Sequence, residues 1–238
     1  MEPYKDTGPL DCNGEIDTTS IQGKTAIITG GRSQITPFHV LAFVIIADIN
    51  EAGGVELASK LQRTKFVKCN VTQWSDQLKM FKEAIEFSLK KRVDIVVANA
   101  GISGVDSVFA FEDQEELEEP ALKIVNINLI GVFYTIKLAL HCFRRQHAAQ
   151  LQPMQDTLLV LQGSMGGYLE AAATLEYCAS KFALRGLMRC LRRTSWMHGT
   201  RVNYIAPGFI KTNLMIDEVA HTLASSEIFL FIHHLHFQ

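Results

Sequence analysis

The chain lacks most of the features that mark a specialised protein. Its five cysteines, Cys12, Cys69, Cys142, Cys178 and Cys190, are scattered and odd in number, with no Cys-x-x-Cys pair. That pattern argues against a zinc site and a disulfide framework, and the expected compartment is reducing and cytoplasmic. No run is strongly basic and the net charge is −2, so no nucleic-acid partner is expected. Residues 1–20 are polar and lack the apolar core of a signal peptide; they read as a flexible lead-in. The longest apolar stretch, residues 127–143, is interrupted by Asn128, Lys137 and His141. It reads as a buried helix, and no membrane partner is expected. There is no internal repeat and no low-complexity segment. A chain of 238 residues, 47% hydrophobic and 20% charged, is long enough for one globular domain with a substantial core.

Short β-rich runs alternate with helical stretches along most of the chain. Strands are expected at residues 25–29, 40–47, 65–68, 93–98, 157–161 and 201–205. Helices are expected at residues 51–61, 74–90, 122–145 and 176–196, the second with Leu78, Phe81, Ile85 and Leu89 on one stripe. The acidic stretch 112–119, closed by Pro120, reads as a solvated helix face or helix start. Alternating strands and helices imply a parallel sheet covered on both faces. Ligands of such sheets bind at the carboxyl ends of the strands, and Gly30, Asp48, Asn99, Ser164 and Pro207-Gly208 all fall there.

Tyr177 and Lys181 lie four residues apart, with Ser164 thirteen residues before the tyrosine. On a helix such a pair shares one face. An ammonium beside a phenol favours the phenolate, which makes the pair suited to acid–base work on an alcohol or carbonyl. Taken alone, the same spacing also describes a solvated helix face, and Ser164 among glycines also describes a turn. Asp48 has a bland reading as a strand-end turn residue, and Asn128 as a helix-interior Asn bonded to nearby backbone. Gly30-Gly31 after one strand, with Asp48 closing the next, looks like a dinucleotide fold, the acid meeting the adenosine ribose. A carboxylate there repels a ribose phosphate, so NAD is expected in preference to NADP.

From about residue 24 to 214 the chain resembles the short-chain dehydrogenase/reductase family. The resemblance rests on Thr29-Gly30-Gly31, Asp48, Asn99-Ala100-Gly101, Asn128-Leu129-Ile130-Gly131, Ser164, Tyr177-x-x-x-Lys181, and Asn203 with Pro207-Gly208-Phe209-Ile210-Lys211-Thr212. Within the family it is most similar to the NAD-dependent hydroxyprostaglandin-dehydrogenase type, through Ile46-Ala47-Asp48-Ile49-Asn50 and Tyr177-Cys178-Ala179-Ser180-Lys181. The resemblance implies an α/β, Rossmann-like, doubly wound parallel sheet in a single domain, residues 21–214, that interconverts a secondary alcohol and a ketone. It implies Tyr177 as acid/base, Lys181 lowering its pKa and holding the nicotinamide ribose, Ser164 positioning the substrate oxygen, and Asn128 holding a water. The implied cofactor contacts are Gly30, Ser33, Ile35, Asp48, Ile49, Asn70, Val71, Asn99, Ala100, Gly101, Tyr177, Lys181, Pro207, Gly208, Ile210 and Thr212. A homodimer through the two long helices is also implied.

Two places depart from the family pattern. Gln34 and Thr36 replace the second and third glycines of the phosphate-binding turn, and Pro37 follows at once. Only about ten residues, 31–40, are expected between the first two strands, fewer than a parallel crossover needs, so its helix is read as shortened. After Thr212 the family's last strand is read as missing, and residues 215–238 are read as an atypical tail. Its His233, His234 and His236 lack the acidic or cysteine partners of a metal site, so no metal is expected. These departures leave a second reading open: an impaired or truncated relative, altered as at an exon boundary, with weak or no dinucleotide binding.

Overall fold

The computed structural model describes residues 18–31, 42–108, 118–148 and 156–208. Six parallel strands form one sheet: β1 (Thr25–Thr29), β2 (Phe43–Asp48), β3 (Thr64–Lys68), β4 (Ile95–Ala98), β5 (Thr157–Gln162) and β6 (Thr200–Ile205). Their order is β3-β2-β1-β4-β5-β6. Strand order reverses between β1 and β4, which opens a crevice above their carboxyl ends. Ile27, Ile45, Val96, Leu159 and Leu161 are fully buried in the middle of the sheet. Branched apolar side chains fit this pleated, two-sided burial, as in parallel sheets generally.

Five α-helical segments connect and cover the strands: α1 (Glu51–Ser59), α2 (Trp74–Phe87), α3 (Lys123–Val125), α4 (Gly131–Ala148) and α5 (Leu175–Leu191). Asn50 caps α1, its side chain accepting from the Gly53 N–H at 3.0 Å. Between α3 and α4, residues Asn126–Ile130 form a π-helical turn, so Lys123–Ala148 is one continuous helical rod. By length and composition alone that rod is apolar enough to cross a membrane. Here it packs on the sheet, with Val132, Ile136, Ala139 and Phe143 in the core.

Several boundaries differ from expectation, each for a local reason. β2 begins at Phe43, not Val40, because its pairing with β1 starts at Thr25 opposite Phe43. The first crossover therefore runs over residues 30–42, about the dozen residues that a parallel connection requires. The expected shortening of its helix falls on residues 32–41, outside those described, as do the tail 215–238 and most of the lead-in. α2 stops at Phe87 because Ser88 turns out of the helix. The Ser88 hydroxyl accepts from Thr25 Oγ1 at 2.8 Å and from the Arg92 N–H at 3.2 Å. Leu89 consequently lies outside the helix and is exposed, and the buried face of α2 is Gln77, Met80, Phe81 and Ala84. β4 starts at Ile95 because the Asp94 carboxylate accepts from the Thr25 N–H at 2.9 Å. α5 ends at Leu191, and a separate 3₁₀ turn, Ser195–His198, carries Trp196.

Candidate active site

The carboxyl ends of β1, β2, β4, β5 and β6 place Gly30, Asp48, Asn99, Ser164 and Pro207 along one edge of the sheet. β1 and β4 are tied together there by polar contacts. The Thr29 hydroxyl accepts from the backbone N–H groups of Asn99 at 3.0 Å and Ala100 at 3.1 Å. The Asn99 side-chain amide donates to the carbonyls of Thr29 and Gly30, both at 3.0 Å. Gly30 has φ +64°, and a Cβ on it would lie 2.6 Å from the Ala100 Cα. Both the left-handed backbone and the close approach require glycine here.

Asn128 sits in the π-helical turn with 1% of its surface exposed. Its side chain reaches out of its own helix. Its Oδ1 accepts from the Ile102 N–H at 2.8 Å, and its Nδ2 donates to the Ile102 carbonyl at 2.9 Å and to Ser180 Oγ at 3.4 Å. π-helical turns commonly mark functional sites, and this one aims an amide at the loop after β4 and at α5. A Cβ at Gly101 would stand 3.2 Å from Asn128 Oδ1 and 3.6 Å from Lys181 Nζ. The glycine therefore leaves a gap over both polar groups.

Tyr177 and Lys181 share a face of α5, as their spacing requires. The Lys181 side chain is buried, donates to the Gln162 carbonyl at 3.0 Å, and holds its ammonium 5.5 Å from the Tyr177 ring centroid. Burial pulls its pKa down from 10.5 to about 8. Burial also pushes the Tyr177 phenol above its ordinary value, and a hydrogen bond with Ser164 opposes that shift. The Ser164 hydroxyl in addition accepts from the Gly166 N–H at 3.1 Å, capping the short turn Met165–Gly167.

The remaining expected positions divide into three groups. Asp48 ends β2, with Oδ1 accepting from the Asn50 N–H at 2.9 Å, and Ile49 beside it is 65% exposed at the sheet edge. Pro207 and Gly208 are brought to the Ser164 loop, where the Pro207 carbonyl accepts from the Met165 N–H at 2.9 Å. The Asn70 side chain is occupied by its own turn, accepting from Thr72 N–H and Oγ1, and Val71 is buried with its carbonyl accepting from Gln77. Those two residues support the wall after β3. Ser33, Ile35, Ile210 and Thr212 lie outside the described residues. Among the described residues no three His, Cys, Asp or Glu side chains converge.

The sequence analysis quoted Thr29 and Ser180 within motifs without giving either a role, and it passed over Tyr204. Thr29 had a readable sign, a hydroxyl at the carboxyl end of a buried strand. Ser180 and Tyr204 had none, because a serine in a helix and a tyrosine in a strand are both ordinary.

Comparison with known proteins defines the class. Residues 24–222 match the short chain dehydrogenase family model, and the protein belongs to that family of NAD(P)-dependent oxidoreductases acting on CH–OH groups. It is 36% identical over 222 residues to the 5'-hydroxyaverantin dehydrogenase of Dothistroma septosporum, covering 85% of this chain and 72% of that one. It is 31% identical over 227 residues to the NADP-dependent dehydrogenase clz5 of Cochliobolus lunatus, covering 86% and 77%. Among solved structures, its fold is similar to the NADH complex of 3-ketoacyl-(acyl-carrier-protein) reductase from Brucella melitensis, with a TM-score of 0.68, 22% identity, and coverage of 82% and 78%.

Proposed function

We propose that the protein is an NAD-dependent dehydrogenase of a secondary alcohol, with Tyr177 as its acid/base. The observation that carries this is the grouping of Ser164 and Tyr177 beside a buried Lys181: a Cβ at Gly166 would lie 3.2 Å from the Tyr177 ring and 3.5 Å from Ser164 Oγ, and the Lys181 ammonium lies 5.5 Å from the Tyr177 ring centroid. The strand ends fit an extended dinucleotide. Asp48 and Ile49 would take the adenosine ribose, Gly30 and Asn99–Gly101 the middle, and the gap at Gly101 leaves the Lys181 ammonium within reach of the second ribose. When bound, the nicotinamide ring supplies the hydride acceptor. The chain's own groups do the rest. Ser164 orients the substrate hydroxyl, Tyr177 removes its proton, Lys181 holds the ribose and favours the phenolate, and Asn128 lies beside the ammonium as part of a proton path.

Mixing the protein with NAD and a panel of secondary alcohols, 5'-hydroxyaverantin among them because relatives carry that name, tests the reading. NADH formation is the expected result. Isothermal titration of NAD runs beside it, and binding too weak to detect would favour the impaired relative instead.

The Asp48 carboxylate accounts for choosing NAD, since it would repel a 2'-phosphate. Asp48→Ser is expected to move the NADP-to-NAD ratio of kcat/KM toward NADP by roughly tenfold, about 1.4 kcal/mol. An unmodified protein that already uses both dinucleotides equally would sink the assignment. A homodimer through α4 and α5 is supported by Phe133 and Phe182, each 44% exposed on those helices. Sedimentation is expected to show a dimer that Phe133→Glu with Phe182→Glu separates; a monomeric parent protein would contradict it.

A further inference from the structure

Between the serine loop and the tyrosine helix lies a side chain that the dehydrogenase reading does not use. Tyr204, on β6, projects across the end of β5 and brings its hydroxyl to both. The Ser164 N–H donates to it at 3.4 Å, and it lies 3.4 Å from the Ser164 carbonyl and 3.3 Å from the Lys181 carbonyl. A phenol has one proton and two acceptor positions, so it takes the Ser164 N–H while donating to either carbonyl. Burial pushes its own phenol above the ordinary value, which keeps that proton in place.

The loop is shaped around this ring. A Cβ at Gly163 would overlap the Tyr204 ring, and a Cβ at Gly167 would overlap its hydroxyl and lie 2.8 Å from the Lys181 carbonyl. Outside, the Tyr168 ring meets Tyr204 edge-on at 6.0 Å, and the Arg185 guanidinium stacks over Tyr168 at 4.1 Å from the ring centroid. The glycines that flank Ser164 are thus explained by the bulk facing them.

We propose that Tyr204 is a positioning residue for catalysis. By binding the backbone of Ser164 and of Lys181 with one hydroxyl, it sets the approach of the Ser164 hydroxyl to the Tyr177 phenol. The proposal rests on the dehydrogenase reading for its effect on rate, while the packing behind it does not.

Tyr204→Phe keeps the ring and removes the bridge. It is expected to lower kcat about fivefold, with KM for NAD changed less than about twofold, since misplacement of a catalytic group acts on the chemical step. The Ser164 bond favours the Tyr177 phenolate, so loosening it moves the rising limb of the kcat–pH profile for alcohol oxidation to higher pH. A spectrophotometric titration of Tyr177, taken as the difference between each protein and its Tyr177→Phe variant, reads the same upward shift without turnover. Gly163→Ala is expected to lower the melting temperature sharply in the native background and much less in a Tyr204→Ala background. Native kcat and an unmoved Tyr177 titration in Tyr204→Phe would overturn the positioning role. Equal destabilisation by Gly163→Ala in both backgrounds would overturn the packing on which it stands. A parent protein that oxidises no alcohol would instead count against the dehydrogenase reading, leaving the titration and melting comparisons to decide on Tyr204.

Discussion

Tyr177→Phe is expected to lower kcat by about a thousandfold while leaving the fold and NAD binding intact, within the range lost when a general acid–base group is removed. The ring still fills its place on α5 near Ser164, and only its hydroxyl is gone. Parent activity also carries a sign that checks the role. Oxidation needs the phenolate and reduction needs the phenol, so raising the pH speeds alcohol oxidation and slows ketone reduction. Burial raises the Tyr177 pKa and the Ser164 bond lowers it, so Ser164→Ala moves both limbs to higher pH. A Tyr177→Phe enzyme with parent kcat, measured by NADH formation, would remove the mechanism altogether.

Lys181→Met is expected to abolish measurable turnover and yet make the protein more stable at pH 7. The Lys181 pKa falls from 10.5 to about 8 on burial. Between those values the unfolded chain holds the extra proton and the folded chain does not, so stability rises with pH across that window. Below it, lysine is charged in both states and the native state bears the whole cost of burying the ammonium. Methionine fills a similar volume without that cost, but it gives up the bond to the Gln162 carbonyl. At about 1.4 kcal/mol per pK unit, less about 1.5–3 kcal/mol for the lost bond from a charged donor, the net gain is on the order of 1 kcal/mol. That is a rise in melting temperature of roughly 2–4 °C for a chain of this size. The gain should fade as pH rises from about 8 to 10.5. A Lys181→Met protein less stable than its parent at pH 7, or a pH-independent difference, would contradict this account. The trade of stability for function is common at active sites.

The four central strands were legible because each is a short, largely apolar and buried run, and Ile27, Ile45 and Leu159 are fully enclosed. The Tyr177–Lys181 pair was legible because helical spacing alone fixes a shared face. Strand and helix ends were less so. Ser88 and Asp94 end or delay elements through bonds to Thr25, far away in sequence, and no local pattern records such a partner. Asn128 pointed to function only through the family resemblance, since a helix-interior asparagine has no distinctive pattern, and the π-helical turn that aims it was not foreseen. Tyr204 stayed hidden for a similar reason: its meaning lies in two glycines some forty residues earlier.

The polar clasp between the ends of β1 and β4 joins residues about seventy apart in the chain. Loop closure over such distances is slow and must precede the contacts that reward it. Ser164 and Tyr177 arrive later still in sequence, Ser164 after β5, which pairs with β4 and β6, and Tyr177 on α5, which packs against β6. The catalytic edge is therefore complete only when nearly the whole sheet has formed. During refolding, recovery of turnover should lag the return of helical signal, and on gentle heating turnover should vanish before the bulk of the secondary structure does.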